Sequence, residues 1–489
     1  MRSVILGENI FVERTGINLK KRICNDFDVI LKQMASAFRD NAITRALSRI
    51  SLSFYHLLTV KKSNAYNTPK RKQTIIVNKT KRRRIYLLTW NVNGKAPPDD
   101  MNNLLQLGHP PLPDIYAIGL QEVSGYDWES AFTYVLHNNN FVRIKSRKLQ
   151  GIHTFLFVHR LWLPYVSNVE SELTRTGFGG YWGNKGASTV RLDFKGVNIV
   201  VVNCHLAAHR EEVMARIEDV DTIIESQKFK DVDSDNILDH DYVFWIGDMN
   251  FRLDDISRDQ VLQLIQNRDY QALLEHDQLS MVREERLIFD KFQEGAISFP
   301  PSYKFDNGTD VYDTSEKKRV PAYTDRILYL YHNTDYGPLK LNADVMSYRS
   351  HPIYKSSDHR PVSAIIAFSV PAKCIHGPVT FQLEDPRIYK EIEHKFRYKI
   401  RKDFETAADD WIGLYKANFP HFDSYLKYQW VSQAKYLTSK DRNASVTFSA
   451  SQISRLDDDT YVLCYMTRKG SLCGISPEFE VSSEFKCCL

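Results

Sequence analysis

The chain has 489 residues, a 43% apolar fraction and a formal net charge of +5: enough for more than one globular domain, and too mild a charge for a histone-like or ribosomal protein. Its seven Cys are scattered apart from Cys487-Cys488, which excludes a disulfide scaffold and a zinc knuckle and fits a reducing compartment. No stretch approaches the roughly 20 apolar residues that cross a bilayer, the first residues lack a secretion-signal pattern, and Lys486 stands where a prenylation box needs Cys. The expectation is a protein that reaches membranes from the cytosol.

The first zone, 1–80, has few strand signals. Phe27, Ile30, Leu31, Met34 and Phe38 fall at helical spacing, as do Ile43, Leu47, Ile50 and Phe54. Lys32, Arg39, Arg45 and Arg49 lie between them, so the zone reads as a partly helical or disordered extension that packs on the main domain or touches a membrane. Lys70-Arg71-Lys72 and Lys81-Arg82-Arg83-Arg84 bracket a short apolar strand. They read as solvated arms, with a nuclear signal or an anionic-lipid patch as the alternative.

The second zone, 81–370, repeats short apolar strands: Tyr86 to Thr89, Ile115 to Leu120, Thr154 to Val158, Val197 to Val202, Val243 to Ile246, Ile327 to Leu330 and Val362 to Phe368. Helical segments such as Glu211 to Ser226 separate several of them, which predicts an α/β domain with large sheets between helical layers. The third zone, 371–489, follows a hinge at Pro371 to Pro378. Its alternating strands Val379 to Leu383, Phe396 to Ile400, Trp411 to Lys416, Tyr425 to Val431, Ser445 to Phe448 and Tyr461 to Tyr465 predict a small β-sandwich.

Polar clusters recur at strand ends of the second zone, where ligands commonly sit. Asn91 and Asn93 follow the first strand, Gln121-Glu122 the second, His205 the Val-rich strand and Asp248-Met249-Asn250 the Phe-Trp-Ile strand, while Asp358-His359 precede the last. Singly, each reads as a cap, a turn former or a core histidine. Together they supply what phosphate-ester hydrolysis needs: oxygen ligands for Mg²⁺, a base to orient water, and donors for phosphoryl oxygens. Zinc fits less well, since the set holds no paired His at helical spacing. The glycine-rich stretch Gly177 to Gly186 would let backbone amides and Lys185 approach an anion, or would be a surface hairpin. Lys317-Lys318-Arg319 leads into Pro321-Ala322-Tyr323-Thr324-Asp325-Arg326, a second candidate anion site. Cys204 and Arg210 have the spacing of thiolate phosphatases, but the interval His-Leu-Ala-Ala-His lacks the glycines of a phosphate-cradling nest, so Cys204 reads as a buried strand residue.

Trp90-Asn91-Val92-Asn93-Gly94, Gln121-Glu122-Val123, Gly183-Asn184-Lys185-Gly186, His205-Leu206-Ala207-Ala208-His209, Gly247-Asp248-Met249-Asn250-Phe251-Arg252, Pro321 to Ile327 and Ser357-Asp358-His359-Arg360-Pro361 resemble, in order and spacing, the inositol polyphosphate 5-phosphatases. The resemblance implies the four-layered α/β sandwich of the endonuclease/exonuclease/phosphatase superfamily and Mg²⁺-dependent, in-line attack without a phosphoenzyme. By motif, Glu122 would be the principal Mg²⁺ ligand, supported by Asn91, with Asp358 near the metal. Asp248 would orient or deprotonate the water and Asn250 would hold a phosphate oxygen. His205 would bind the scissile phosphate, and His359, oriented by Asp325, would stabilise the transferring group. The resemblance places Asn184, Lys185, Lys304, Lys317, Arg319, Tyr323 and Arg326 on the ring phosphates. Tyr323-Thr324 departs from the family's common Trp-Cys, and Pro301-Ser302 from Pro-Thr.

Asp410-Trp411-Ile412-Gly413-Leu414-Tyr415-Lys416 and Tyr428-Gln429-Trp430-Val431 resemble the SKICH domain, which has an immunoglobulin-like fold and follows the catalytic domain in one 5-phosphatase subgroup. That resemblance implies partners at a membrane and among proteins, with a phosphoinositide headgroup as the ligand. A cytoplasmic monomer peripheral to plasma membrane or endoplasmic reticulum is expected, without a nucleic-acid partner. The alternatives are a superfamily nuclease and a catalytically silent SKICH adaptor.

Overall fold

The strand Thr80–Asn91 (β1) shows how the chain builds its centre. Ile85 and Leu87 point into one apolar cluster, while Tyr86, Leu88 and Trp90 point into another, the period of two that a strand imposes. A strand buried on both faces needs a layer on each side. In the computed structural model, which describes residues 80–177, 182–230, 234–332, 340–372, 376–402, 404–431, 435–438 and 442–483, both layers are present. The helices expected before residue 80 and the run Lys70-Arg71-Lys72 lie outside these residues.

The catalytic-zone elements follow in chain order: β2 (Ile115–Gln121), α1 (Trp128–His137), β3 (Phe141–Leu149), β4 (Ile152–His159), β5 (Val166–Gly177), β6 (Trp182–Phe194), β7 (Val197–His205), α2 (Val213–Ser226), β8 (Tyr242–Asp248), α3 (Arg258–Gln266), α4 (Tyr270–Leu274), α5 (Gln278–Glu284), β9 (Gln293–Glu294), β10 (Asp325–Tyr331), β11 (Ala343–Ser350) and β12 (Val362–Pro371). They form two six-stranded sheets, ordered β11-β12-β1-β2-β4-β3 and β5-β6-β7-β8-β10-β9. The sheets face each other through Ile85, Leu87 and Ala117 on one side and Ile199, Val201, Phe244 and Ile246 on the other. Helix α1 covers the outer face of the first sheet with Trp128, Phe132 and Leu136, and α2 lies against β5 and β6 of the second. This is the expected four-layered α/β sandwich.

Register decides where the polar strand ends meet. β1 and β2 run parallel with Asn91 opposite Gln121. β7 and β8 run parallel with His205 opposite Asp248, and antiparallel β10 begins with Asp325 opposite that same Asp248. β12 starts beside the end of β1, Val362 opposite Thr89, so the preceding Asp358-His359 arrive at the same edge. The central strands of both sheets therefore present their functional ends to one crevice. Gly247 makes the β7–β8 approach possible: at φ +147°, a Cβ there would lie 2.1 Å from the Cys204 carbonyl oxygen.

Ten further strands, β13 (Val379–Gln382), β14 (Arg387–Tyr389), β15 (His394–Ile400), β16 (Trp411–Lys416), β17 (Lys427–Trp430), β18 (Lys435–Thr438), β19 (Asn443–Phe448), β20 (Asp459–Met466), β21 (Leu472–Ile475) and β22 (Phe479–Ser482), make the second domain. Two sheets, β13-β15-β19-β18 and β14-β22-β20-β16-β17, enclose Phe396, Tyr398, Leu414, Phe448 and Leu463, the sandwich that the alternating pattern predicted. The described residues of this sandwich and of the catalytic zone belong to one compact unit, so the sandwich is docked on the catalytic zone. It meets one edge of each catalytic sheet. Arg143 of edge strand β3 bridges His421, and Val169 of edge strand β5 donates its N–H to Ser471 Oγ at 2.7 Å. Arg160 clamps the carbonyls of Ala417 and Phe419, each at 2.6 Å. Covering edges in this way removes unpaired backbone groups.

Two sequence readings change here. Lys81 to Arg84 are the start of β1, paired with Ala367 to Val370, rather than a solvated arm. Arg82 bonds Asn342 and Asp344, Arg84 bonds the carbonyls of Pro111 and Leu112, and Arg83 lies 4.2 Å over the Trp162 ring. A partner strand about 280 positions away, invisible in the local pattern, supplies the ladder. The stretch read as a hinge is also bonded: β12 runs through Pro371, and Gly377 donates to the Pro164 carbonyl at 3.1 Å.

Candidate active site

Asn91 ends β1 fully buried, and its side-chain amide is the hub of the crevice. Nδ2 donates to Glu122 Oε1 and to Asp248 Oδ2, each at 3.0 Å. Two carboxylates from different sheets are thereby held by one donor. Glu122 leaves β2 with φ +56°, which turns its side chain to the crevice; that side chain is 45% exposed. Asp248 is buried, with Oδ1 accepting from the Asn250 amide at 3.1 Å.

Two histidines flank Asp248. His205 Nε2 lies 3.4 Å from Asp248 Oδ2, 3.8 Å from Glu122 Oε1 and 2.5 Å from Lys185 Nζ. Burial lowers the pKa of His205, and Lys185 lowers it further; burial also lowers that of Lys185. The corner thus sets an imidazole with a lowered pKa beside an ammonium, two nitrogen groups that can meet a phosphate oxygen. His359 comes from the other side. Its Nδ1 is 2.9 Å from Asp325 Oδ2, and its Nε2 faces Asp248 Oδ2 at 3.9 Å. Burial alone would depress the His359 pKa, but Asp325 and Asp248 outweigh it and raise it to about 10. For Asp248 burial pulls upward, yet His359, His205 and Lys185 hold it well below the usual carboxylate range. At neutral pH the arrangement is a buried carboxylate facing an imidazolium.

Asp325 is committed to orientation. Its Oδ2 also accepts from Ser302 Oγ at 2.6 Å and Thr324 Oγ1 at 2.9 Å, and the Tyr303 ring lies against His359 with centroids 4.4 Å apart. Asp248, Asp325 and His359 offer ligand atoms within 4.8 Å of one another, a spacing that could hold a cation. A protonated His359 makes that trio a poor cage, even though Asp325 Oδ1 is buried without a hydrogen-bond partner among the described residues. Glu122 fits better, because the carboxylate accepts one hydrogen bond among the described residues and lies half-exposed beside the Asn91 amide. Asn91 would join Glu122 as an oxygen ligand for a hard divalent cation once its amide is turned, because Nδ2 now faces Glu122 and Oδ1 accepts the Asn93 amide at 3.0 Å.

Asp358 is buried, with Oδ1 on Asn93 Nδ2 at 3.0 Å and Oδ2 on Lys304 Nζ at 3.1 Å. Asn250, at φ +57°, donates Nδ2 to the Leu206 carbonyl and accepts from Arg252. Asn184 and Lys317 are exposed, and Arg319 is partly buried with its amide on Asp313. Tyr323 and Arg326 are not brought to the crevice. Tyr323 is buried with its hydroxyl on the Phe299 carbonyl at 3.0 Å. Arg326 is 1% exposed and saturated by Glu294 and Asp277 at 2.7 to 2.8 Å, which leaves it nothing to offer a ligand. Their motif neighbours suggested a site, but the acids that claim Arg326 lie 32 and 49 positions away. Asn93, Ser302 and Arg252 were missed as site residues. Each stands inside or beside a motif, and only the fold reveals that they hold Asp358, Asp325 and Asn250. Cys204 donates no chemistry: burial pushes its thiol pKa well up, and its sulfur accepts from Trp245 Nε1 at 3.2 Å.

Comparison with known proteins agrees with this fold. The family Endonuclease/Exonuclease/phosphatase family 2 matches residues 88–365, and the SKICH domain matches 379–481. Inositol polyphosphate 5-phosphatase K of Mus musculus is 35% identical over 420 residues, covering 81% of this chain and 89% of the mouse protein. Phosphatidylinositol 4,5-bisphosphate 5-phosphatase A of Homo sapiens is 37% identical over 421 residues, 82% of this chain but 42% of the human protein. The chain thus spans less than half the length of that relative. Among solved structures, the inositol polyphosphate 5-phosphatase domain of SPsynaptojanin, in complex with inositol (1,4)-bisphosphate and calcium ion, superposes with a TM-score of 0.54 at 32% identity, covering 65% of this chain and 90% of that one. The chain belongs to endonuclease/exonuclease/phosphatase family 2, among the SKICH-bearing inositol polyphosphate 5-phosphatases.

Proposed function

We propose that this protein is a Mg²⁺-dependent phosphoric monoester hydrolase that removes the 5-phosphate from phosphatidylinositol 4,5-bisphosphate and 3,4,5-trisphosphate, with soluble inositol polyphosphates as a second substrate class. The observation that carries the reading is the opposition of buried Asp248 and the His359–Asp325 pair across 3.9 Å, with His205, Lys185 and Glu122 around them. Asp248, held as an anion by the groups around it, orients or deprotonates the attacking water. His359, kept protonated and aimed by Asp325, donates through Nε2 to the phosphoryl oxygens as negative charge grows there. His205 and Lys185 hold the scissile phosphate from the other side, and Asn250 steadies one of its oxygens. Glu122 and Asn91 would hold Mg²⁺, with Asp358 nearby. Bound there, the ion would neutralise phosphoryl charge and help expel the alcohol. Lys304, beside Asp358, and the Lys317–Arg319 loop are the candidates for reading the neighbouring ring phosphate.

Relatives carrying 5-phosphatase names support the 5-position, and the absence of a helix long and apolar enough to cross a membrane among the described residues is compatible with peripheral attachment. The proposed location is the cytoplasmic face of plasma membrane or endoplasmic reticulum, with the SKICH domain binding protein partners and the enzyme acting as a monomer. The test is a panel of inositides incubated with Mg²⁺ and the wild type, Asp248→Ala and His359→Ala. Phosphate release from 5-phosphorylated inositides by the wild type alone supports the proposal. Full activity in both variants contradicts it.

A further inference from the structure

The two loops that carry His205 and Asn250 are joined beneath the crevice by a buried arginine. Arg216, in the first turn of α2, is fully buried, yet the hydrogen bonds of its two terminal nitrogens all go to neutral oxygens, and its Nε has no hydrogen-bond partner among the described residues. NH1 donates to the carbonyls of Ala207 at 3.2 Å and His209 at 2.5 Å; NH2 donates to the Arg210 carbonyl at 3.2 Å and to Gln278 Oε1 at 2.7 Å. The guanidinium carbon sits 5.0 Å from the centre of the Phe251 ring. Gln278, the first residue of α5, completes the link. Its Oε1 also accepts the Arg252 amide at 2.9 Å, and its Nε2 donates to the Arg210 carbonyl at 2.9 Å and to Asp254 at 2.8 Å. One turn beyond Arg216, Asp219 accepts the Ala207 amide at 2.8 Å, so α2 holds both the N–H and the carbonyl of Ala207. His209 is held at φ +76° within this grip.

A buried guanidinium costs free energy unless its donors are satisfied, and simple loop closure would not need one. What the fork supplies is fixed geometry: a planar group can hold carbonyls of one loop and the Gln278 amide oxygen, which in turn holds the other loop through the Arg252 amide, at a set spacing. Leu206 and Asn250, bonded to each other through Asn250 Nδ2, sit directly above. We propose that Arg216 and Gln278 are positioning residues that fix the distance between His205 and the Asn250–Arg252 segment, and so the width of the phosphate slot. The proposal rests on the hydrolase reading above for its kinetic consequence, while the staple itself is independent of it.

Two measurements on the full chain test it: steady-state kinetics on phosphatidylinositol 4,5-bisphosphate vesicles, and hydrogen exchange of peptides 206–212 and 249–255. In Arg216→Met and Gln278→Leu, kcat should fall on the order of 10²-fold, the scale of a 1 Å misplacement. KM and the Mg²⁺ concentration for half-maximal rate should stay near wild type, because Glu122 and Asn91 lie on the other sheet. Exchange should quicken in those two peptides and not in β1 or β2. Guanidinium ion should restore part of the kcat of Arg216→Gly, whereas equal urea should not. Folded variants with wild-type kcat overturn the positioning role. Unchanged exchange in the two peptides overturns the staple, even if the wild type hydrolyses no inositide and the activity reading fails separately. A variant too unstable to purify passes the test to Arg216→Lys, which keeps the charge but cannot span three carbonyls; wild-type kcat in that variant also overturns the proposal.

Discussion

Glu129 anchors α1 to the sheet that ends in Asn91 and Glu122, and its ionisation has a measurable consequence. Its carboxylate accepts from Ser146 Oγ at 2.7 Å, lies 2.9 Å from Arg143 NH2 and lies 3.4 Å from His153 Nε2. The His153 hydrogen bond is the largest influence and, with Ser146 and Arg143, lowers the pKa from 4.5 to about 2 against the effect of burial. Burial lowers the pKa of His153 in spite of Glu129. Near neutral pH the imidazole is therefore a neutral N–H donor, and Arg143 is the charge partner. A fall from 4.5 to about 2 corresponds to about 3.4 kcal/mol. The side chain is 32% exposed, so solvent screening cuts this to about 1.5 kcal/mol. The folded pKa lies below the unfolded one. The stabilisation is thus full above about pH 4.5 and disappears as pH falls toward 2. Glu129→Gln should lower stability by about 1.5 kcal/mol at pH 7 and by roughly two-fifths of that at pH 3, read from urea midpoints of both proteins. A gap of the same size at both pH values would refute the charge argument and leave only lost packing.

Other substitutions separate chemistry from architecture. Cys204→Ser should keep kcat/KM within about twofold, since the sulfur is a buried acceptor for Trp245; loss of activity without loss of fold would return the thiolate mechanism to contention. Glu122→Gln should raise the Mg²⁺ needed for half-maximal rate by roughly 10–100-fold, measured by titrating Mg²⁺ after chelation; an unchanged requirement would move the metal elsewhere. Arg326→Met should cost about 3–5 kcal/mol by leaving buried Asp277 without its cation and Glu294 with Arg283 alone, with KM of the folded fraction unchanged; a large KM rise would return Arg326 to the substrate.

The sequence was most readable where burial is complete. β1 from Ile85 onward, β2, β7 and β8 are predominantly apolar because layers cover both their faces, and each ends in a polar residue at the crevice. β5 was illegible for the opposite reason: Ser167, Asn168, Glu170, Ser171 and Glu172 face partial solvent, so its pattern looks like a loop until β6 pairs with it. The site shows the same division. Asp248, His205 and Glu122 stand out as strand-end groups, but their meeting depends on the parallel registers of β1–β2 and β7–β8. Asn91 could be read as a turn former; its role as the donor shared by Glu122 and Asp248 exists only once the two sheets face each other. Arg216 carried no local signal at all, because its partners are backbone carbonyls and a glutamine 62 positions away.

The central claim is that Asp248, facing protonated His359, drives hydrolysis of a 5-phosphate. Its most direct test is phosphate release from phosphatidylinositol 4,5-bisphosphate vesicles with Mg²⁺, wild type against Asp248→Ala at equal folded concentration. The account predicts turnover by the wild type to the 4-phosphate lipid, and a loss on the order of 10²–10⁴-fold in the variant. An Asp248→Ala protein that matches the wild type, or a folded wild type that leaves the lipid intact, would contradict it.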